Sequence, residues 1–450
     1  MKKRTVLIFS LLLIFLAGSI PAGYVYASEK NWKDVIYPGV YIQDIDVSGK
    51  QKKETEELLQ EKYGKPLNSK KIEVYAGEKT YTLDYSKLEA RYNITEVVSE
   101  ALNYGKTENI INRYKLIKKP RIKQFSLEFT YDSRLIEDFV NNIEKEINTS
   151  PVNASIAITD GEIKITPETN GIKLEKDKLK KVITEQINGE VSQEYVKIEA
   201  LLEPTKPEIT SEKLSSINSK ISSFSTNFST SNANRINNIA LATKAINGIL
   251  LMPGESFSFN KTVGERTRER GYKEAGVIIG DKLESGLGGG ICQVSSTLYA
   301  ALLHTDIKTY GRINHTLPLA YISKGLDATV DWGNIDFKFK NTLEVPMYLE
   351  GYIKDKNVFF NVYSNQELSK KSYEIVTEIY DTLQPSIKYT EDPNRYEGEE
   401  VIVKRPSAGY KVKVYRRTYE SGSIINTELI SKDTYIAVNG EVIRGTKKRN

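Results

Sequence analysis

The chain has 450 residues, 39% hydrophobic and 27% charged, an ordinary globular balance that excludes a disordered or fibrous protein. Its 64 basic and 59 acidic residues are spread along the chain to a net charge of +5, which argues against nucleic acid as a partner and suits an anionic polymer equally well. One cysteine, Cys292, excludes an internal disulfide, so the lone thiol is either a small buried hydrophobe or a working group.

Lys2, Lys3 and Arg4 precede an uncharged run from Thr5 to Ser28, long enough to cross a bilayer. Residues 1–28 are therefore expected to export the chain, either as a signal peptide cleaved after Val25-Tyr26-Ala27 or as an uncleaved anchor with its basic end inside. The expected location is extracytoplasmic, anchored in the cell membrane by one pass or secreted to the wall.

Between residue 29 and about residue 207 a helix–hairpin–helix pattern occurs twice, offset by about 84 positions. In the first copy, residues 29–120, a helix with Leu58 and Leu59 leads to strands Ile72–Tyr75 and Thr80–Tyr85 and then to a helix with Val97, Val98 and Leu102. The second, residues 121–207, has Phe139, Ile143 and Ile147 on a helix, strands Ser155–Ile158 and Glu162–Thr166 around Asp160-Gly161, and a helix with Leu179, Val182 and Ile183. Neither copy carries a His, Cys or carboxylate cluster at catalytic spacing, so both read as binding or spacing modules. Pro204, Pro207 and the Ser- and Asn-rich run Ser215–Asn234 predict a linker over 208–233, followed by a helix over 235–247 that Gly248 ends.

The densest chemical signal lies in Gly286-Leu287-Gly288-Gly289-Gly290-Ile291-Cys292-Gln293-Val294-Ser295-Ser296-Thr297, a glycine turn running into an amphipathic helix. Free amides and the positive helix end near Cys292 would favour the thiolate, and Gly288, Gly289, Gly290 and Ser295 are candidates to meet substrate. Only two histidines can serve as base. His304 lies twelve residues on, roughly 18 Å along the same helix, and reads as a cation at the helix end. His315 follows a segment able to turn back over the helix start. The predicted strand Asp327–Asp331 offers two carboxylates on one face to orient the imidazole, Asp327 first and Asp331 in reserve. Arg312 could bind a carboxylate or be a surface charge. The order of Cys, His and Asp is that of transglutaminase-like and papain-like α+β thiol enzymes.

Ser258-Phe259-Asn260-Lys261 has the Ser-x-x-Lys spacing of penicillin-binding enzymes, but the segment alternates like a strand and no Lys-Thr-Gly occurs elsewhere. Two histidines and one cysteine make a poor zinc site, so neither metal nor cofactor is expected. From about residue 368 to residue 447, alternation at Val401/Val403, Val412/Val414 and Ile436/Val438, punctuated by Gly398, Gly409, Gly422, Gly440 and Gly445, predicts a small all-β tail.

Several of these segments resemble known families. Pro253-Gly254-Glu255-Ser256-Phe257-Ser258-Phe259-Asn260, Gly271-Tyr272, Gly288–Tyr299, Arg312 with His315, Gly325–Val330 and Asp336–Asn341 resemble the VanW family over residues 234–365. That resemblance implies a cysteine L,D-transpeptidase in which Cys292 is nucleophile and His315 base, forming 3-3 cross-links between peptidoglycan stem peptides; Asp327 as orienter is inferred from its position. A cysteine peptidase acting on stem peptides and a non-catalytic wall binder are the alternatives. Residues 121–207 resemble the peptidoglycan-binding domain found beside YkuD-type transpeptidases, and 368–447 the five-glycine domain linked to N-acetylglucosamine-containing glycans, which implies glycan strands as further partners. The expected architecture is a multidomain α+β chain: export segment, two α+β modules, linker, catalytic domain and all-β tail.

Overall fold

The structure, a computed structural model, describes residues 23–159, 161–190, 195–279 and 282–449. Most of the expected export segment, residues 1–22, and the turn residue Asp160 lie outside the described residues. Among the described residues no helix is long and apolar enough to cross a membrane. The chain forms two compact units, one of residues up to 152 with 170–206, the other of 153–169 with everything from 207 onward.

In the first unit, strands Lys71–Ala76 and Lys79–Asp84 form the expected hairpin, and Tyr195–Glu199 joins the sheet in parallel with Lys71–Ala76. Alternation buries Ile72, Val74 and Ala76 on one face. Ile136, Val140 and Ile143, at helical spacing along Arg134–Ile147, pack into the same core as those strand residues. Val40, Ile42, Leu59, Val97 and Val98 form a second core. The two sequence copies thus interleave, because a strand from the second completes the sheet of the first. The antiparallel hairpin Ser155–Thr159 and Glu162–Thr166 falls in the other unit, where its isoleucines pack with Tyr348 and Tyr363. A two-stranded hairpin cannot bury its own apolar face, which is why it needs that cover.

The second unit is built from strands β1 (Ser219–Asn227), β2 (Ile249–Leu251), β3 (Ser256–Ser258), β4 (Glu274–Ile279), β5 (Lys282–Leu287), β6 (Lys308–Gly311), β7 (Lys338–Lys340), β8 (Met347–Lys354) and β9 (Asn357–Ser364), with helices α1 (Ala233–Ile246) and α2 (Ile291–Leu303). One antiparallel sheet has the order β1-β9-β8-β2, a second β3-β7-β6, and β4-β5 is a hairpin. The linker expected over 208–233 is corrected here. Its polar residues form an edge strand, and the two that point inward are satisfied: Ser222 donates to the Ala301 carbonyl at 2.6 Å and Thr226 pairs with Thr297 at 2.7 Å. Composition marked it as solvated, whereas its alternation marked a strand.

Helix α2 runs through the middle of this unit and is buried at every position except Cys292. It is preceded by its N-cap Gly290, whose φ of +106° is a conformation that residues with a Cβ rarely adopt. The preceding Gly289 lies against the backbone of β4, where a Cβ would stand 2.6 Å from the Gly276 carbonyl oxygen. Gly289→Ala is therefore expected to destabilise the fold by about 3 kcal/mol, since backbone cannot swing aside as a side chain can. A denaturant midpoint unchanged within error would contradict this.

The tail is all β as expected: β10 (Lys371–Leu383), β11 (Ile387–Tyr396), β12 (Glu400–Lys404), β13 (Gly409–Glu420), β14 (Ser423–Tyr435) and β15 (Gly440–Lys447). They form two three-stranded sheets, β10-β13-β14 and β11-β15-β12.

Candidate active site

The turn Gly288–Gly290 delivers Cys292 to the first turn of α2, where the residue is partly exposed. The Ile291 amide donates to the Gly288 carbonyl at 3.2 Å and the Gln293 amide to that of Gly290 at 3.0 Å. Between them the Cys292 amide makes no backbone bond among the described residues, which leaves one donor beside the sulfur where an oxyanion would form. Of the turn residues expected to meet substrate, Gly289 is packed on β4 instead, its carbonyl accepting from the Asn238 side chain at 3.1 Å.

His315 and Asp327 lie on neighbouring extended segments rather than on the regular strands expected, tied by the Thr329 amide donating to the Ile313 carbonyl at 2.8 Å. The His315 backbone amide and its ring Nδ1–H both donate to Asp327 Oδ2, each at 2.6 Å. That double hold fixes the ring and its tautomer, presenting Nε2 toward Cys292. The imidazole is hydrogen-bonded to the Cys292 thiol, which itself donates to the Val330 carbonyl at 3.4 Å. Asp331, the reserve orienter, instead accepts from the Asn334 side chain at 2.7 Å. His304 ends α2, bonded to the Ala300 carbonyl at 2.8 Å and stacked on Phe224, away from this cluster.

Burial pushes the Cys292 thiol up, but its hydrogen bond to His315 and the charges of His315 and Arg266 pull it further down, to below the ordinary thiol range. Burial acts to lower His315, yet Asp327 and Cys292 together push it up to about 9. Both shifts favour a thiolate–imidazolium pair near neutral pH. Asp327, despite the opposing effect of burial, is held below the usual carboxylate range by His315 and Arg312.

Two further expectations are corrected by the packing. Arg312, read as a carboxylate binder, is only 6% exposed, and its guanidinium is spent on Asp433 at 2.6 and 2.7 Å, on the carbonyls of Asp327 and Gly325, and on Asp327 Oδ1 at 3.4 Å. Ser295 is fully buried and donates to the Ala328 carbonyl at 2.6 Å, so it latches the Asp327 segment onto α2 instead of meeting substrate.

Residues not singled out in the sequence take up other roles. Gln293 braces α2 by donating to the Asn227 carbonyl at 2.9 Å and accepting from Arg235 at 2.8 Å. Arg266 lies between the rings of Phe259 and Trp332, and its two terminal nitrogens have no hydrogen-bond partner among the described residues. Its charge acts on Cys292. No spacing ties Arg266 to Cys292 in the sequence; only the fold brings them together.

Three family models match the chain: "VanW like protein" over residues 234–363, "Putative peptidoglycan binding domain" over 81–196 and "G5 domain" over 374–447. The chain is 33% identical over 234 residues to the "Uncharacterized protein YoaR" of Bacillus subtilis (strain 168), covering 52% of this chain and 75% of that protein. It is 32% identical over 139 residues to the "Vancomycin B-type resistance protein VanW" of Enterococcus faecalis (strain ATCC 700802 / V583), covering 30% of this chain and 50% of that protein. Among solved structures, "IgA1 Protease G5 domain structure" is similar at 23% identity and a TM-score of 0.14, covering 17% of this chain and 92% of that one.

Proposed function

The chain belongs to the VanW-like family and is a cell-wall-associated protein, and from that premise we propose that it is an L,D-transpeptidase working by cysteine acyl transfer. The observation that carries this reading is the chain of contacts from Cys292 through His315 to Asp327 at the open end of an otherwise buried helix. The Cys292 thiolate attacks the carbonyl carbon of the third residue of a donor stem peptide, and the Cys292 amide faces the developing oxyanion. His315 passes its proton to the departing D-alanine amine, leaving a thioester. The side-chain amine of an acceptor stem then attacks, His315 takes up its proton, and the thiolate leaves with a 3-3 cross-link formed.

Arg266 replaces Arg312 as the group that holds the donor's terminal carboxylate. Its guanidinium is unpaired and near the thiol, whereas Arg312 is fully engaged. Arg266→Met is expected to raise KM for a tetrapeptide donor by about tenfold to a hundredfold, the worth of a charge-assisted hydrogen bond, with a smaller change in kcat. Steady-state kinetics with an unchanged KM would remove Arg266 from the site.

Incubating the purified chain with disaccharide-tetrapeptide and analysing products by mass spectrometry tests the reaction. A 3-3 dimer supports transpeptidation, tripeptide alone makes the chain a peptidase on the same residues, and unchanged substrate makes it a wall binder. The N-terminal segment would tether this activity to the membrane or be removed during secretion, and the tail would bind glycan strands.

A further inference from the structure

The tail meets the reactive centre directly. Asp433 and Tyr435 stand two apart near the end of β14, so both project from the same face of the strand. Both are buried, at 4% and 0% exposure. The Tyr435 hydroxyl donates to Asp327 Oδ1 at 2.6 Å, the oxygen that His315 leaves free, and accepts from the Gly325 amide at 2.6 Å. Asp433 takes both terminal contacts of one Arg312 nitrogen, while the Arg312 Nε holds the Asp327 carbonyl at 2.6 Å. Backbone ties run alongside: the Asn314 side chain donates to the Thr434 carbonyl at 2.9 Å, and the Ile436 amide to that of Thr316 at 2.9 Å. Val414 of β13 packs so closely on Gly325 that a Cβ there would stand at 2.3 Å, within van der Waals overlap.

We propose that Tyr435 and Asp433 of the C-terminal β-domain are positioning residues of the catalytic centre, so that this domain completes the site rather than serving only as a wall-binding appendage. The proposal rests on the reading of Cys292, His315 and Asp327 as the reactive set. Three residues hold Asp327 through five hydrogen bonds: His315 twice on one oxygen, Tyr435 and Arg312 on the other, and Arg312 again at its carbonyl. Three of those five come from β14 or through its Asp433. Without Asp433, the Arg312 charge would turn to Asp327 as its counterion and compete with His315 for that carboxylate in a nearly water-free setting. Without the Tyr435 hydroxyl, Asp327 Oδ1 would lose its shortest donor, and more of the carboxylate's charge would fall on the His315 ring.

The charged and titratable groups around the His315–Cys292 pair are Asp327, Arg312 and Asp433 on one side and Arg266, Arg235 and Tyr321 on the other. The two substitutions therefore act with opposite sign. Tyr435→Phe withdraws a hydrogen bond from Asp327, strengthens its claim on the imidazolium and raises the pH at which His315 loses its proton. Asp433→Asn removes a negative charge and lowers that pH.

Because the chain has a single cysteine, its reaction with iodoacetamide reports on Cys292 alone. Alkylation rates of the full chain are measured from pH 4 to pH 10. The wild type is expected to show a step below the ordinary thiol range and a second near the His315 value of about 9. In Tyr435→Phe and Asp433→Asn the upper step moves by about 0.5–1 pH unit in opposite directions. Val442→Ala, which loosens the other sheet of the same domain, leaves the profile unmoved. Tyr435→Phe keeps the ring volume, so it decides the matter alone if Asp433→Asn does not fold. Folded variants that retrace the wild-type profile overturn the proposal while leaving the reactive set intact. A wild type with one ordinary thiol step near the free-cysteine value of about 8.5 overturns that set itself, and the proposal with it.

Discussion

Cys292→Ala is expected to abolish cross-linked dimer and tripeptide alike, lowering turnover of disaccharide-tetrapeptide by about a thousandfold or more, because both outcomes pass through the same thioester. Cys292→Ser tests the sulfur itself. A serine hydroxyl is far less acidic than the thiol and does not form the ion pair with His315 that activates Cys292, so the serine variant should lie near the alanine one. The wild-type rate should fall as pH rises through about 9, since the imidazolium that protonates the leaving amine is then lost. Turnover of Cys292→Ala within tenfold of wild type would sink thiol catalysis.

Asp327→Asn is the second large effect. The amide is nearly isosteric, but it is neutral, and its Nδ2 would face either the His315 donors or the Tyr435 hydroxyl. An imidazole turned to the wrong tautomer presents N–H rather than a lone pair to the thiol. A loss in kcat of about a hundredfold to ten-thousandfold is expected, with the alkaline limb moving down from about pH 9 as the imidazolium loses its counterion. One buried donor is left unpaired, costing about 1–3 kcal/mol in a denaturant melt. A kcat within threefold of wild type would remove Asp327 from the mechanism.

What could be read without coordinates followed local rules. A glycine turn entering an amphipathic run announces a helix start, and α2 begins at Ile291 with Cys292 in its first turn. Alternation put Asp327 and Asp331 on one face, with Asp327 preferred; the approach of His315 to Asp327 is a matter of tertiary packing that alternation does not encode. Arg312 and Ser295 misled for one reason: both sit in a motif rich in chemistry, yet both hold the scaffold. What distinguishes a strut from a contact is whether its polar atoms are already paired, not residue type. Arg266 was silent because a guanidinium between two rings leaves no periodic trace. Asp433 and Tyr435 lie in a tail read only as small, all-β and glycan-directed, and nothing in a strand's own residues says which loop it will cover.

The interleaving of the two units has a consequence for how the chain acquires its structure. Strand Tyr195–Glu199 completes a sheet begun at Lys71, roughly 120 residues earlier, and the hairpin at 155–166 waits for Tyr348 and Tyr363. A chain made from its N-terminus therefore cannot finish the first unit until that parallel strand has emerged. By then it already carries an apolar hairpin without its cover. The order of synthesis and the order of assembly are out of step, so the half-made chain is expected to be the species most in need of a chaperone.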